Sequence, residues 1–192
     1  DVAWANEWDK QACVTYRANF DHQMVEGDVH DVDPKSLHEV DVITSGFPCQ
    51  AFSIAGYRKG FSDHRGNLFF ETMRFIDELQ PEAFLLENVR NLEGHDKKRT
   101  FKVIQERVKA SGYSFVYKVM NSMEYGGVPQ NRERIYMVGF KDEAEGWPKN
   151  NNDSLRTRMF KFPETISLEK KLRGVLERRK VDEKYYYKNT KY

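Results

Sequence analysis

The 192-residue chain contains only two cysteines, and this scarcity excludes two classes of protein. Cys13 and Cys49 are too few and too far apart for a disulfide framework, and neither belongs to a C-x-x-C zinc pattern. The five histidines show no ligand spacing, so we predict no metal site. No segment approaches the roughly 20 apolar residues of a membrane helix. These absences favour an intracellular protein that does not enter a membrane.

The chain also lacks a large net charge, but its charges are unevenly distributed. The 31 Lys and Arg against 30 Asp and Glu give +1, with 39% apolar and 14% aromatic residues, which argues for one folded domain. Residues 153–192 carry 12 basic and 6 acidic side chains. This basic end could face a phosphate backbone, or it could be a solvated helix over residues 168–180.

Short β-branched apolar runs alternate with amphipathic segments along the chain, which is typical of an α/β fold. We predict strands at residues 40–44, 83–86, 113–120 and 134–140. We predict helices at residues 9–20, from a cap at Asn67 to Pro81, and around residues 101–108 up to a left-handed cap at Gly112. Such alternation implies a mostly parallel sheet with helices on both faces.

Three polar segments follow or precede these strands. Gly46-Phe47-Pro48-Cys49-Gln50 follows the first predicted strand, and Glu87-Asn88-Val89 follows the second. Gln130-Asn131-Arg132-Glu133-Arg134 leads into the last one, with two arginines that an extended backbone would point to the same side. Because ligands bind beyond the carboxyl ends of parallel strands, we expect these segments to converge on one site.

Taken together and in this order, these segments closely resemble the cytosine-C5 DNA methyltransferases, especially those of bacterial restriction–modification systems. The resemblance covers nearly all of residues 1–141. It implies a Rossmann-like, S-adenosylmethionine-dependent methyltransferase sheet and the transfer of a methyl group to C5 of cytosine in double-stranded DNA. It also implies a bacterial, cytoplasmic and nucleoid-associated enzyme.

The resemblance places the cofactor S-adenosylmethionine, and its product S-adenosylhomocysteine, near the N-terminus. Asn6-Glu7-Trp8-Asp9 resembles the segment whose acid, here Glu7, binds the ribose hydroxyls and whose ring, here Trp8, packs on adenine. Gly27-Asp28-Val29 resembles the next segment, with Asp28 toward the adenine amino group. From the residues alone, Trp8 could equally be a core residue and Asp28 a turn former. The family pattern adds three further contacts: Val29, Pro48 and Leu68.

The resemblance makes Cys49 the nucleophile. In the family mechanism its thiolate adds to C6 of cytosine, so that C5 can attack the methyl group, and loss of the C5 proton then expels the thiolate. Glu87 would stabilise the ring at N3 and N4, and Arg134 would meet O2. Arg132 would favour the thiolate, because a nearby cation lowers a thiol pKa. No residue is an obvious base for the C5 proton.

The target cytosine is stacked inside the duplex and must be extruded into the pocket. We predict that residues 51–66 form a loop that closes on DNA, because this segment contains glycines and cations. The resemblance implies DNA contacts from five residues: Gln50, Ser53, Arg65, Asn88 and Gln130.

The family pattern is incomplete at both ends. The first strand and its glycine-rich turn should precede Asp1, so we expect that the natural polypeptide is longer or that a complementing chain supplies this strand. We predict a catalytic domain over residues 1–145, then a linker and the basic start of a target-recognition region over 146–192. A full-length protein would be monomeric.

Two alternatives remain open. An RNA cytosine-C5 methyltransferase could use the same scaffold, although the Gly-Phe before Pro48 is more like the bacterial DNA enzymes. The second alternative is an inactive scaffold or a regulatory subunit, and the presence of Cys49, Glu87 and Arg134 argues against it.

Overall fold

The computed structural model describes residues 1–48, 68–142 and 155–185, and its strands form two sheets. Strand β1 (Trp4–Glu7) pairs in parallel with β2 (Gln23–Glu26). The second sheet has the order β3-β4-β6-β5. Its strands are β3 (Val42–Ser45), β4 (Ala83–Val89), β5 (Tyr113–Asn121) and β6 (Glu133–Lys141).

Three longer helices connect these strands: α1 (Lys10–Arg17), α2 (Leu68–Leu79) and α3 (Arg99–Ala110). Asp9 caps α1 by accepting a hydrogen bond from the backbone N–H of Ala12 at 2.8 Å. Gly112 follows α3 with φ +82°, which confirms the predicted left-handed residue. Asn67, the predicted cap of α2, lies outside the described residues. Three shorter helices are α4 (Ser122–Tyr125), α5 (Leu155–Met159) and α6 (Leu172–Val175).

The structure corrects the expectation of a mostly parallel sheet. The pairs β1–β2 and β3–β4 are parallel, but β6 runs antiparallel to β4, so the larger sheet is mixed. Residues 122–132 between β5 and β6 contain only the four-residue α4. A parallel neighbour needs a crossover of about a dozen residues or more. The alternation of strands and helices therefore could not predict the direction of β6.

The solvated helix considered as an alternative over residues 168–180 is much shorter in the structure. Only Leu172–Val175 is helical, and Lys171 at its start makes no capping side-chain hydrogen bond. None of the residues of α6 is buried. Most helical stability in proteins comes from packing an apolar face, so a segment without such packing does not extend.

The hydrophobic core lies between the four-stranded sheet and helices α2 and α3. Its largest fully buried side chains share these elements and the loop after β4: Tyr113, Phe69, Phe84, Met73, Ile76, Leu86, Leu92, Ile104, Ile135, Met137 and Val108. The Phe84 and Tyr113 rings pack at 5.7 Å between centroids. The buried Tyr113 hydroxyl donates to the carbonyl of Pro81 at 2.6 Å, so its burial leaves no unpaired polar group.

The chain divides into two compact units by its contacts. The first consists of Asp1–Val119 with Arg134–Phe162, and the second of Met120–Glu133 with Pro163–Tyr192. In the second unit, Asn121 caps α4 and the backbone N–H of Ile166 donates to the carbonyl of Glu124 at 2.7 Å. Among the helices in the described ranges, none is both long and apolar enough to cross a membrane.

The close pairing of β4 and β6 leads to a stability prediction. Phe84 on β4 faces Gly139 on β6, and a methyl group at position 139 would overlap the Phe84 ring. We expect Gly139→Ala to lower the free energy of unfolding by about 1–3 kcal/mol, because the ring must shift to make room. Urea denaturation followed by circular dichroism measures this loss.

Gly94→Ala is the matched control, because a Cβ there meets nothing within 4 Å and Gly94 has φ −89°. Equal unfolding midpoints for the two variants would contradict the proposed strand contact.

Candidate active site

Glu87 and Arg134 form an ion pair across the two central strands of the larger sheet. The Arg134 Nε lies 2.8 Å from the Glu87 Oε1. Arg134 on β6 pairs with Val89 on β4, two residues after Glu87. Arg134 and Glu87 are therefore diagonal neighbours on the same face of the sheet. The Glu87 side chain is 34% exposed and that of Arg134 is 19% exposed. A solute can therefore reach a carboxylate whose orientation is held by a guanidinium.

The loop after β3 approaches this carboxylate closely. A Cβ at Gly46 would lie 3.3 Å from the Glu87 Oε2, which is tighter than most such contacts in proteins. Glycine thus lets the chain leaving β3 pass beside Glu87. This brings the segment that ends in Pro48 close to the ion pair.

Asn88 fixes the same segment from the buried side of β4. Its Nδ2 donates to the carbonyl of Phe47 at 2.7 Å, and its Oδ1 accepts from the backbone N–H of Val89 at 2.8 Å. The side chain is 2% exposed. The amide is therefore engaged on both ends inside the protein, which supports a positioning role for Asn88 instead of the predicted contact with DNA.

The described residues stop just before the predicted nucleophile. Pro48 is exposed at the end of the first described range. Four predicted site residues lie outside the described residues: Cys49, Gln50, Ser53 and Arg65. The predicted loop over residues 51–66 lies outside them as well.

Gln130 and Arg132 belong to the second unit and are exposed there. Hydrogen bonds within that unit hold the backbone of Arg132. Its N–H donates to the Asn121 Oδ1 at 3.3 Å, and its carbonyl accepts from the N–H of Ser122 at 3.0 Å. Arg134 belongs to the first unit, so the structure describes the two predicted arginines in separate units.

Three of the predicted cofactor residues lie where β1 and β2 end, at one edge of the small sheet: Glu7, Trp8 and Asp28. The Glu7 Oε1 accepts hydrogen bonds from the N–H groups of Trp8 and Asp9 at 2.8 and 2.9 Å. Trp8 is 77% exposed, so it is not a core residue. The N–H of Gly27 donates to the carbonyl of Glu7 at 2.9 Å and holds the two strand ends together.

Asp28 begins a 3-10 turn over Val29–Asp31 and caps it. Its Oδ1 accepts from the backbone N–H of His30 at 3.0 Å and contacts the His30 Nδ1 at 2.5 Å. The backbone hydrogen bond from His30 has the largest effect, and together with the side-chain contact to His30 it lowers the pKa of Asp28 below its usual value. Asp28 is thus an ionised hydrogen-bond acceptor at neutral pH, and it is also the turn former considered from the sequence.

The chemistry of this edge fits the nucleoside of S-adenosylmethionine. Glu7 offers a carboxylate for hydroxyl groups, Trp8 an open aromatic face for a base, and Asp28 an acceptor for an amino group. Val29 and Leu68 are half-buried and pack against the core. An open groove of about 520 Å³ also includes Asp28, but neither Glu7 nor Trp8 lines it.

The sequence analysis missed three residues that position this machinery. Gly46 admits the loop beside Glu87, and Asn6 ties β1 to the chain after β2 through its Nδ2, which donates to the carbonyls of Val25 and Gly27. Arg74 on α2 donates to two backbone carbonyls. Apart from the adjacency of Asn6 to Glu7, no sequence signal marks these roles, because their partners are backbone atoms far along the chain.

The placement of Asn88 leads to a second prediction. Asn88→Leu keeps the size of the side chain but leaves the buried carbonyl of Phe47 without its donor. We expect a loss of about 1–3 kcal/mol in the free energy of unfolding, measured by urea denaturation. Asn91→Leu, at an exposed position three residues along, should cost less than about 0.5 kcal/mol. Equal losses for the two variants would argue against the Phe47 contact.

Known proteins match the whole chain. The family model described as C-5 cytosine-specific DNA methylase matches residues 1–192. The type II methyltransferase M.Bsp6I of Bacillus sp. (strain RFL6) is 42% identical over 192 residues, which are 100% of this chain and 58% of that protein. M.HhaI of Haemophilus parahaemolyticus is 40% identical over 168 residues, 88% of this chain and 47% of that protein. The chain thus spans about half the length of the curated relatives it matches.

Solved structures agree on the fold. A DNMT2 structure from Spodoptera frugiperda matches with a TM-score of 0.66 at 21% identity, covering 96% of this chain and 54% of that one. A putative DNA modification methyltransferase encoded within a prophage of E. coli matches with a TM-score of 0.59 at 29% identity, covering 73% of this chain and 40% of that one. The first likeness shows the fold alone. With the match over residues 1–192, the chain belongs to the C-5 cytosine-specific DNA methylase family.

Proposed function

We propose that this chain is the catalytic part of a DNA (cytosine-5-)-methyltransferase that uses S-adenosylmethionine and acts on double-stranded DNA. Family membership supports the reaction class. The observation that carries the proposal is the half-exposed Glu87–Arg134 pair, beside a loop whose Phe47 carbonyl is pinned two residues before Cys49. A carboxylate, a cation and a cysteine-bearing loop are the groups that this reaction needs.

In the proposed reaction the Cys49 thiolate forms a bond to C6 of an extruded cytosine, and the electrons of the C5–C6 double bond become available at C5. Bound S-adenosylmethionine would supply an electrophilic methyl group: as C5 forms a bond to that carbon, the methyl–sulfur bond breaks and S-adenosylhomocysteine leaves. A base or solvent then takes the C5 proton. The electrons of that C–H bond restore the C5–C6 double bond and expel the thiolate.

Glu87 and Arg134 stabilise the ring during this sequence. The thiolate delivers negative charge that accumulates toward N3 and O2 of the base. Glu87 shares a proton, taken from solvent, with N3 as negative charge builds there and accepts from the N4 amino group, and Arg134 donates to O2. Their ion pair of 2.8 Å fixes the carboxylate before the base arrives, so less ordering is needed on binding. Arg132 acts on the thiolate.

Cofactor binding is assigned to the edge formed by the ends of β1 and β2. Glu7 binds the ribose hydroxyls, Trp8 covers the adenine ring, and Asp28 accepts from its amino group. Three residues complete the set: Val29, Pro48 and Leu68. The exposure of Trp8 and the low pKa of Asp28 support this assignment.

We also propose that a further strand joins the two sheets. In the described residues, β1 has β2 as its strand partner and β3 has β4, which leaves one edge of each for a strand between them. Buried strand edges need partners for their backbone groups, and exposed edges can pair with a further strand. A strand and glycine-rich turn preceding Asp1 in a longer polypeptide, or on a complementing chain, would fill this place.

Residues 146–192 would begin the target-recognition region, and Gln50, Ser53, Arg65 and Gln130 would contact DNA.

A covalent trap tests the nucleophile. We expect the full-length natural protein, with S-adenosylmethionine, to form a denaturation-resistant complex with duplex DNA that carries 5-fluorocytosine, because fluorine at C5 blocks the final elimination. Cys49→Ser should abolish this complex on a denaturing gel. Cys13→Ser is the matched control and should keep it, because Cys13 is 0% exposed.

Survival of the complex in Cys49→Ser would reject the nucleophile. A complex formed only with 5-fluorocytosine tRNA would favour the RNA enzyme. Calorimetric titration with S-adenosylhomocysteine tests the third possibility, an inactive scaffold. The absence of a binding heat would favour it.

Arg134→Met tests the electrostatic role. We expect kcat to fall by about 100-fold or more, as when one donor to a developing negative charge is removed. Methyl transfer from labelled S-adenosylmethionine under single-turnover conditions measures this loss. Arg99→Met, which removes the exposed ion pair of Arg99 with Asp96, should leave kcat within about twofold. Similar rates for the two variants would contradict the role of Arg134.

A further inference from the structure

The turn that carries Asp28 is held at both ends of its backbone by one arginine. Arg74, on α2, donates from Nη2 to the carbonyl of Val29 at 2.9 Å and from Nη1 to the carbonyl of Val32 at 3.0 Å. Val29 begins the 3-10 turn, and Val32 is the residue that ends it. The Arg74 guanidinium therefore spans the turn from its first residue to its C-terminal cap.

Arg74 is itself fixed from two other directions. Its Nε donates to the Glu71 Oε2 at 2.7 Å, one turn earlier on α2. Its guanidinium carbon lies 4.9 Å from the centre of the Phe75 ring, whose side chain is buried. Each of the three nitrogens thus has a different partner. Only a planar, five-donor group can make this set of contacts, so a lysine cannot replace it fully.

The other side of Asp28 is anchored as well. The Asn6 Nδ2 donates to the carbonyls of Val25 and Gly27 at 2.9 and 3.1 Å. Asp28 therefore follows directly after one anchored residue and precedes another. Within the described ranges, its carboxylate bonds to His30 in the same turn, and 54% of the side chain is exposed. The position of the carboxylate depends on the anchors.

We propose that Arg74 is a positioning residue for cofactor recognition: it holds the backbone of residues 29–32 so that the Asp28 carboxylate meets the exocyclic amino group of adenine. This inference rests on the proposed function, in which Asp28 accepts from that amino group. Arg74 does not touch the cofactor. Loss of its contacts frees the turn, so the penalty falls on adenine recognition and leaves the chemical step unchanged.

A pair of ligands tests this role in the full-length natural protein. S-adenosylhomocysteine carries the amino group, and its deaminated analogue S-inosylhomocysteine carries a carbonyl in its place. We expect wild-type protein to prefer the amino ligand by calorimetry. Arg74→Met should weaken the binding of S-adenosylhomocysteine by about tenfold, as expected when a charged hydrogen-bond network is lost. It should also reduce the preference between the two ligands. KM for S-adenosylmethionine should rise similarly, with kcat at saturation within about twofold.

Arg107→Met is the matched control. The Arg107 guanidinium binds Asp77, on the same helix α2, and also Ser111, so this variant removes an arginine contact to α2 without touching residues 29–32. It should leave both ligand affinities and KM unchanged. Arg74→Lys should recover part of the preference, because its ammonium can still donate to one carbonyl.

The outcomes separate the two proposals. If wild-type protein binds neither ligand, or binds both equally, the role of Asp28 in the proposed function fails, and the inference about Arg74 fails with it. If wild-type protein discriminates and Arg74→Met keeps the same affinities and preference, only the inference about Arg74 is overturned. If circular dichroism shows that Arg74→Met does not fold, Arg74→Lys is measured in its place. A wild-type KM and a wild-type preference between the two ligands in that variant would overturn the proposal.

Discussion

The register between β4 and β6 is the constraint on which the candidate active site depends. The side chains of β4 alternate, with Phe84, Leu86 and Asn88 buried and the residues between them more exposed. Glu87 therefore faces the accessible side beside Arg134, while Asn88 turns inward and holds the carbonyl of Phe47. A slip of one residue would exchange these two faces. It would bury an acid and expose the amide that positions the cysteine loop, so the Gly139–Phe84 contact in the same register also protects the site.

The same arrangement occurs at the ends of β1 and β2, the proposed cofactor edge. Asn6 and Glu7 are neighbours on β1, as Glu87 and Asn88 are on β4. In each pair the carboxylate is available for a ligand, and the adjacent amide donates to backbone carbonyls of another segment. Strand alternation sends the two side chains in opposite directions, so one residue can serve binding while its neighbour fixes the surrounding chain. A strand end thus supplies a functional group together with the support that keeps it in place.

Local signals explain which parts of this structure could be predicted. The β-branched run near Ile43 and the cap at Asp9 depend on neighbours in sequence, and the structure confirms both within two residues. The direction of β6 depends on the connection from β5, which no periodicity records. The order of the strands predicts that the segments of Glu87 and Arg134 converge, but no sequence signal predicts their ion pair. Arg74 donates to the backbone carbonyls of Val32 and Val29, which lie 42 and 45 positions earlier in the chain. No side-chain pattern in the sequence indicates these contacts.

Helix α2 connects the two functional regions through short polar contacts. Thr72 shares a hydrogen bond of 2.9 Å with Ser45, where β3 ends and the loop toward Cys49 begins. Two residues further on, Arg74 holds the turn after Asp28. In the proposed reaction the reacting atoms approach within about 3–3.5 Å, so the position of the proposed nucleoside site relative to the loop toward Cys49 matters. A helix is stiff over this short span. Contacts from a single turn of α2 therefore link the end of β3 to the turn after Asp28.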